Sequence, residues 1–491
     1  MKTLIWSVPS AVVLVEVLAL SFRLDYWRNL ANNVERAALT FAETQDERSQ
    51  EKLILSAALN LLGLIIYIWS ILALFYLVLE IFPEEAKLRE NFFLWSTSAA
   101  FFAYAWLRAT WLERHQHNVQ QHDCATTEVP KAAYNRISRW LHWMALEIGI
   151  VRKASLELEK ILFLKKATRD PRIIDEPVFV MGLARSGTTV VLEILESTGV
   201  FHSPTYRDMP FVLCPNLWQR LTKHSRLHAQ NATRAHGDGL LVGFDSPESF
   251  EEVFWCTACK AQEGKALAYA MPSEDDLNDF AAYRRLCVLS ALPNFYKLKH
   301  ATLSLRYLSK NNNNVLRLNE LSALSGAHLV MIVRDPLATA WSLYRLHKRF
   351  TQLQSDDPFV RAYMRWLGHH EFGLGHKPLI TGLQHLDGLN PDQPDYWLAY
   401  WLGTYQNIWK DYNNLPIDRL SRIIWMSHER LCQAPAEELA KLFKIAKIEQ
   451  EVDKYINKIL SFEEVDLTSQ FDKDLTEVAY CLHKEILLSI H

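Results

Sequence analysis

PVFVMGLARSGTTVVLEILEST, residues 177–198, is the stretch that decides the fold. VFVM is a continuous apolar run of the kind buried on both faces in a parallel sheet. It enters a turn holding Gly182 and Gly187, after which a helix is expected to run to about Thr198. A strand, a glycine-bearing turn and a helix N-terminus together hold an anionic group, through backbone N–H groups and the positive end of the helix dipole. Gly182 and Gly187 let the chain curl around the anion, Ser186, Thr188 and Thr189 add hydroxyl donors, and Arg185 supplies fixed positive charge.

Against the Walker pattern GxxxxGK[ST], the loop keeps both glycines but carries Thr188 where the lysine belongs. That lysine reaches the β- and γ-phosphates in nucleotide triphosphatases, so its absence argues against a P-loop kinase or nucleotidase. The form RSGTT, 185–189, resembles the phosphosulfate loop of the sulfotransferases that use 3′-phosphoadenosine 5′-phosphosulfate (PAPS).

A second motif points the same way. HLVMIVRDPLATAWSLY, 328–344, reads as a strand, an RDP turn and a helix expected to reach about Phe350, with a serine eight residues after the arginine. The resemblance implies that Arg334 and Ser342 grip the 3′-phosphate of PAPS, while Arg185 faces the 5′-phosphosulfate. Physically, an arginine at a strand's carboxyl end and a serine two helical turns on can converge on one phosphate in the crevice where open α/β sheets bind ligands. RYLSKNNNNVLRL, 306–318, is similar to the family's strand ending in a lysine motif: Lys310 stands in the lysine's place, and Asn312 replaces a proline common there. IIWMSHERL, 423–431, resembles its late strand and Glu-x-Leu turn, followed by a helix near 435–446.

Sulfuryl transfer demands in-line positioning and stabilisation of charge on the leaving 5′-phosphate. Arg185 and Lys310 suit that, and no metal is required. An acceptor hydroxyl also needs a general base within hydrogen-bond reach. Asp208 and His202 follow the loop at the distance where some family members carry a catalytic glutamate, and 234–255 offers His236, Asp238, Asp245, Glu248, Glu251 and Glu252. Asp208 and Glu248 stand first among these. Glu248 and Glu252 share a helical face, and the acidic run after Ser246 also fits a capped helix start.

Working outward, short β-rich runs alternate with helical ones after a linker at 169–177, which implies an α/β fold: a P-loop-type parallel sheet flanked by helices. Residues 171–491 form the expected catalytic domain and 116–170 a helical linker. In that linker, apolar residues recur at helical spacing over 134–164, expected to pack on the domain, with a helix lying on a membrane as the alternative.

Residues 1–115 read as a membrane region. The run 53–82 has Glu80 as its one charged side chain, long enough to span a bilayer core; 91–111 is aromatic and uncharged until Arg108, and 4–22 is a third spanning or interfacial helix. The basic residues of 23–52 outnumber those of 83–90, which places the catalytic domain in the cytoplasm. The lipid bilayer is therefore an expected partner.

With 53 Lys and Arg against 56 Asp and Glu, no basic excess exists for nucleic acid. Cys256 and Cys259, in WCTACK, are better read as packing thiols than as a metal or redox pair. The aromatic run 396–409 fits core better than a ligand site. The acceptor, a glycan, lipid or peptide, and the oligomeric state stay open, as does an inactive membrane scaffold carrying a sulfotransferase-like domain.

Overall fold

The computed structural model describes residues 136–222, 232–233, 241–242, 250–259, 266–268, 271–295, 304–379, 385–459 and 465–489. The apolar stretches 4–22, 53–82 and 91–111 lie outside the described residues, as do Glu248, His236, Asp238 and Asp245. Among the described residues, no helix is long and apolar enough to cross a membrane.

The principal strands are β1 (Ile173–Met181), β2 (Phe201–His202), β3 (Leu305–Lys310), β4 (His328–Val333) and β5 (Ile423–Ser427). They form one sheet in the order β2-β3-β1-β4-β5, and every pairing in it is parallel. From β1 the chain builds the β2–β3 side first and then crosses to β4 and β5. The carboxyl end of β1 therefore lies at the switch in strand order, where open α/β sheets form their crevice. Register sets Val180 beside Lys310 and Met181 beside Met331, bringing the ends of three strands level with the turn at Gly182.

The helices used below are α1 (Arg136–Glu147), α2 (Gly149–Glu159), α3 (Thr188–Ser197), α4 (Glu251–Ala258), α5 (Glu274–Phe295), α6 (Pro336–Asp356), α7 (Pro394–Asn413), α8 (Pro435–Ile445) and α9 (Lys473–Leu488). Strand periodicity assigns alternate side chains to opposite faces. Val178 and Val180 pack with Val191, Leu195, Leu439 and Leu442 of α3 and α8, whereas Phe179 and Met181 join the larger core of Phe280, Tyr283, Trp397 and Trp401 from α5 and α7. Both faces of β1 are covered, which is why its sequence is apolar without alternation. Truncating a fully buried ring such as Phe179 removes about 3–5 kcal/mol of that packing.

The aromatic run of α7 is core, as its spacing indicated: Trp397, Trp401 and Tyr405 are buried, and the Tyr405 hydroxyl reaches the end of β4. Helix α6 runs past Phe350 to Asp356, because Asp335 caps its start and Pro358 opens a new helix after Asp357.

The expected helix over 134–164 is two helices broken at Ile148, with a π-helical turn at Lys160–Leu164. Its apolar stripe packs on the domain through Leu141, Leu146, Leu156 and Phe163. Arg139 holds it down by donating to both carboxylate oxygens of Asp357, at 3.0 and 2.7 Å. Cys256 and Cys259 carry no disulfide; Cys259 is buried, which pushes its thiol up to about 11 and fits a packing role.

Candidate functional site

The loop after β1 is held in a shape few side chains tolerate. Gly182 and Gly187 have φ of 151° and 97°, and Arg185 itself sits at φ 71°. A Cβ at Gly182 would lie 2.5 Å from the Ile332 carbonyl oxygen, and one at Gly187 would lie 2.6 Å from Cδ2 of His428, so glycine is required at both on steric grounds as well. A non-glycine residue in the left-handed region costs about 1–3 kcal/mol, and such strain collects at ligand clamps.

Supporting contacts fix the rest of the turn. Ser186 is fully buried and donates its hydroxyl to the Leu183 carbonyl at 2.7 Å. The Tyr405 hydroxyl donates to the Ile332 carbonyl at 2.7 Å while accepting from Leu183 N–H at 3.4 Å, bracing the loop against the end of β4. Gly187 is the N-cap of α3, so the first N–H groups of that helix, including those of Thr188 and Thr189, point toward the concave side of the turn.

The second motif meets this loop directly. Arg185 Nε donates to Ser342 Oγ at 2.9 Å, and Arg334 Nη1 donates to the Arg185 carbonyl at 3.0 Å. Residues 149 and 157 positions apart in sequence thus form one cluster. Together with Trp341, Arg345 and Arg349 they line a cleft of about 940 Å³ whose opposite wall includes residues 465–468 and Tyr480 of α9. The division of labour implied by family resemblance, Arg185 for one phosphate and Arg334 with Ser342 for another, is spatially closer than expected: the two grips share a hydrogen bond.

The Glu-x-Leu turn organises the floor. Glu429 accepts from the Asp335 backbone N–H and from Ser427 Oγ, each at 2.9 Å, and so ties the RDP turn to the end of β5. Burial pulls the Arg334 guanidinium below its ordinary value, partly offset by Glu429 and Asp335, and an arginine so placed stays charged. His428, packed against Gly187, is pushed down to about 4 by burial first and then by the charges of Arg334 and Arg185. Its imidazole is therefore neutral at ordinary pH.

Lys310 closes the opposite end of the crevice. It is the last residue of β3, almost wholly buried, one strand to the other side of the loop from Arg334. The absence of a proline after it is explained by a polar turn. Asn311 accepts from Asn313 N–H at 3.0 Å and donates to Glu252 at 2.6 Å; Asn314 donates to Glu251 at 2.8 Å. Glu252 also takes both guanidinium nitrogens of Arg317, at 2.8 and 2.9 Å, and Glu251 accepts from the Tyr307 hydroxyl at 3.0 Å. All six side chains are buried. Asn311 and Asn314 are thus the partners of two buried glutamates, and these glutamates hold the turn that follows Lys310. No sequence spacing announced this; four consecutive asparagines beside a strand end were its one visible trace.

The base candidates fall differently. Asp208 is buried and forms a capping box: it accepts from Thr205 N–H at 2.9 Å, Thr205 Oγ1 at 3.3 Å and Gln219 Nε2 at 3.0 Å. It does not line the cleft. Neighbouring His202 is depressed by burial, against the pull of Asp208.

Residues 177–374 match the model of the Sulfotransferase family. That span covers 198 of the 491 residues and contains Arg185, Lys310, Arg334 and Ser342. No curated protein matches the chain. Among solved structures, the sulfotransferase STF9 from Mycobacterium avium is similar at 12% identity and a TM-score of 0.39, over 78% of this chain and 91% of that one. STF1 from Mycobacterium tuberculosis H37Rv is similar at 11% identity and 0.40, over 77% and 92%. A sulfotransferase domain from the curacin biosynthetic pathway gives 14% and 0.28, over 64% and 98%. The functional reading rests on the family match to the stretch carrying both motifs, and on the geometry of those motifs.

Proposed function

We propose that this protein transfers a sulfuryl group from PAPS to a hydroxyl or amine of an acceptor glycan, lipid or peptide, as an integral membrane enzyme whose catalytic domain faces the cytoplasm. The observation that carries the reading is the meeting of Arg185, Ser342 and Arg334 in one cleft at the switch in strand order. A donor with phosphate at both its 5′ and 3′ ends uses such a doubled grip, whereas a nucleotide with phosphate at one end has no use for it. The loop's backbone donors and the N-terminus of α3 would take the 5′-phosphosulfate, and Arg334 with Ser342 the 3′-phosphate. Charge growing on the leaving 5′-phosphate would be met by the loop, Arg185 and Lys310.

Calorimetry tests the donor: the product nucleotide, 3′-phosphoadenosine 5′-phosphate, should bind in the micromolar range and ATP much more weakly. Equal affinities would defeat the reading. The membrane part rests on the apolar sequence of 4–22, 53–82 and 91–111. Carbonate extraction should leave the protein in the pellet while detergent releases it, and a reporter fused after residue 170 should register the cytoplasm. Release by carbonate alone would overturn the anchor.

A further inference from the structure

The rod formed by α2, the π turn Lys160–Leu164 and the short helix Lys165–Arg169 has one face fixed to the domain. Leu156, Phe163 and Ala167 are buried on that face. Glu159 is buried with them; it accepts from the backbone N–H and the side-chain amide of Asn216, each at 2.8 Å, and from the N–H of Leu217 at 3.1 Å. Lys160 donates to Asp279 of α5 at 2.6 Å and to Glu157 at 2.7 Å. These contacts fix the rotation of the rod about its own axis, so its outer face is fixed too.

That outer face is both apolar and basic. Ile150, Ile161 and Leu162 are 50%, 58% and 51% exposed. Ile150, Lys153, Glu157 and Ile161 succeed one another at helical spacing, on one stripe. The π turn carries an extra residue, and within it Ile161 and Leu162 both stand outside while Phe163 stays buried. Lys153, Lys165, Lys166 and Arg169 are exposed, and none of them joins an ion pair among the described residues. Over 149–169, six Lys and Arg stand against two glutamates. Glu159 is turned inward and Glu157 is paired to Lys160, so the charge left facing outward is positive.

We propose that this face lies on an anionic lipid bilayer and docks the catalytic domain to the membrane surface, a contact separate from the N-terminal anchor. The inference rests on the membrane reading given above, which supplies the surface. Aliphatic tips flanked by lysines and arginines suit the boundary between acyl chains and head groups: the tips enter the boundary, and the basic side chains reach the phosphates. Cytoplasmic leaflets are negatively charged, and juxtamembrane Lys and Arg are drawn to them. A charged polymer such as nucleic acid would match the cations but leave Ile150, Ile161 and Leu162 in water. So basic a rod lies on a bilayer rather than across it. Arg136 follows Trp111, the end of the last apolar stretch, by 25 positions, a tether of at most about 85 Å when fully extended. Such a tether keeps the rod near any bilayer that the stretch enters, yet leaves the domain free to turn; the docked face removes that freedom.

The test is lysine acetylation footprinting, read by mass spectrometry, on the full chain in detergent, in phosphatidylcholine vesicles, and in vesicles that also contain phosphatidylserine. Lys454 serves as the reference, because it is 64% exposed and precedes Tyr455, which packs with α3 and α8 on the other face of the sheet. Relative to Lys454, Lys153, Lys165 and Lys166 should label severalfold more slowly with phosphatidylserine than in either other condition. Ile161→Ser combined with Leu162→Ser should abolish that protection, with melting temperature and affinity for 3′-phosphoadenosine 5′-phosphate unchanged. Equal labelling in the two kinds of vesicle overturns the inference. Slow labelling already in detergent overturns it as well, since protein would then cover the face, and so does protection that survives the double substitution. Unprotected lysines in a chain that resists carbonate extraction defeat this inference alone; unprotected lysines in a chain that carbonate releases defeat the membrane anchor with it.

Discussion

Arg334→Ala removes two things at once, and the structure permits them to be separated. The guanidinium is half-buried in the cleft wall and donates to the Arg185 carbonyl at 3.0 Å. If it also binds the donor's 3′-phosphate, its loss forfeits a charge-assisted hydrogen bond of about 1.5–3 kcal/mol. At about 1.4 kcal/mol per tenfold, that is roughly a 10- to 150-fold rise in Kd. Loosening of the loop, by contrast, would weaken any ligand of the 5′-phosphate site. Calorimetry with two nucleotides, adenosine 5′-phosphate and 3′-phosphoadenosine 5′-phosphate, divides the terms. The wild type should prefer the second, and in Arg334→Ala that preference should shrink by the 10- to 150-fold factor, while affinity for adenosine 5′-phosphate changes far less. A folded variant in which both affinities fall equally would show that Arg334 acts only by bracing Arg185. One in which neither changes would refute the 3′-phosphate assignment, and with it the strongest reason for naming PAPS.

Arg185→Ala should lower both turnover and donor affinity, turnover by the larger factor because charge builds on the leaving phosphate; Arg185→Lys, which keeps the charge and loses the Nε contact to Ser342, should recover activity only in part, as steady-state kinetics would show. Gly187→Ala sets a Cβ against His428 at φ 97°, and should abolish nucleotide binding while lowering the melting temperature by the equivalent of about 1–3 kcal/mol. Arg317→Met strands the buried Glu252 carboxylate and should cost about 3–5 kcal/mol in urea unfolding, with a larger loss of turnover than of nucleotide affinity. Glu159, raised from 4.5 to about 7 chiefly by burial against the hydrogen bonds from Asn216 and Leu217, binds its proton more tightly folded than unfolded. Its contribution is complete below pH 4.5 and is lost as pH rises toward 7, on the order of 3 kcal/mol, so the stability difference between wild type and Glu159→Gln should drift against the wild type across that window.

The parallel sheet, the loop after β1 and the RDP turn were legible because each depends on local chemistry: an uninterrupted apolar strand, glycines where φ is positive, and an aspartate before proline that caps a helix. The helix N-terminus after the glycine turn was legible for the same reason, since it is specified by a dozen neighbouring residues. The base was not. Asp208 has the right residue type at an expected distance from the loop, yet its oxygens are committed to Thr205 and Gln219, and a carboxylate's partners are chosen in three dimensions. The asparagine run at 311–314 gained a structural reason only when Glu252 and Glu251 were packed against Asn311 and Asn314. Sequence alone determined which elements form and where the glycine turn falls between strand and helix, because those are matters of periodicity and backbone conformation. Tertiary structure alone decided that Arg185, Arg334 and Ser342 meet in one cleft and that Asp208 lies outside it, because contacts between residues more than a hundred positions apart leave no spacing to read.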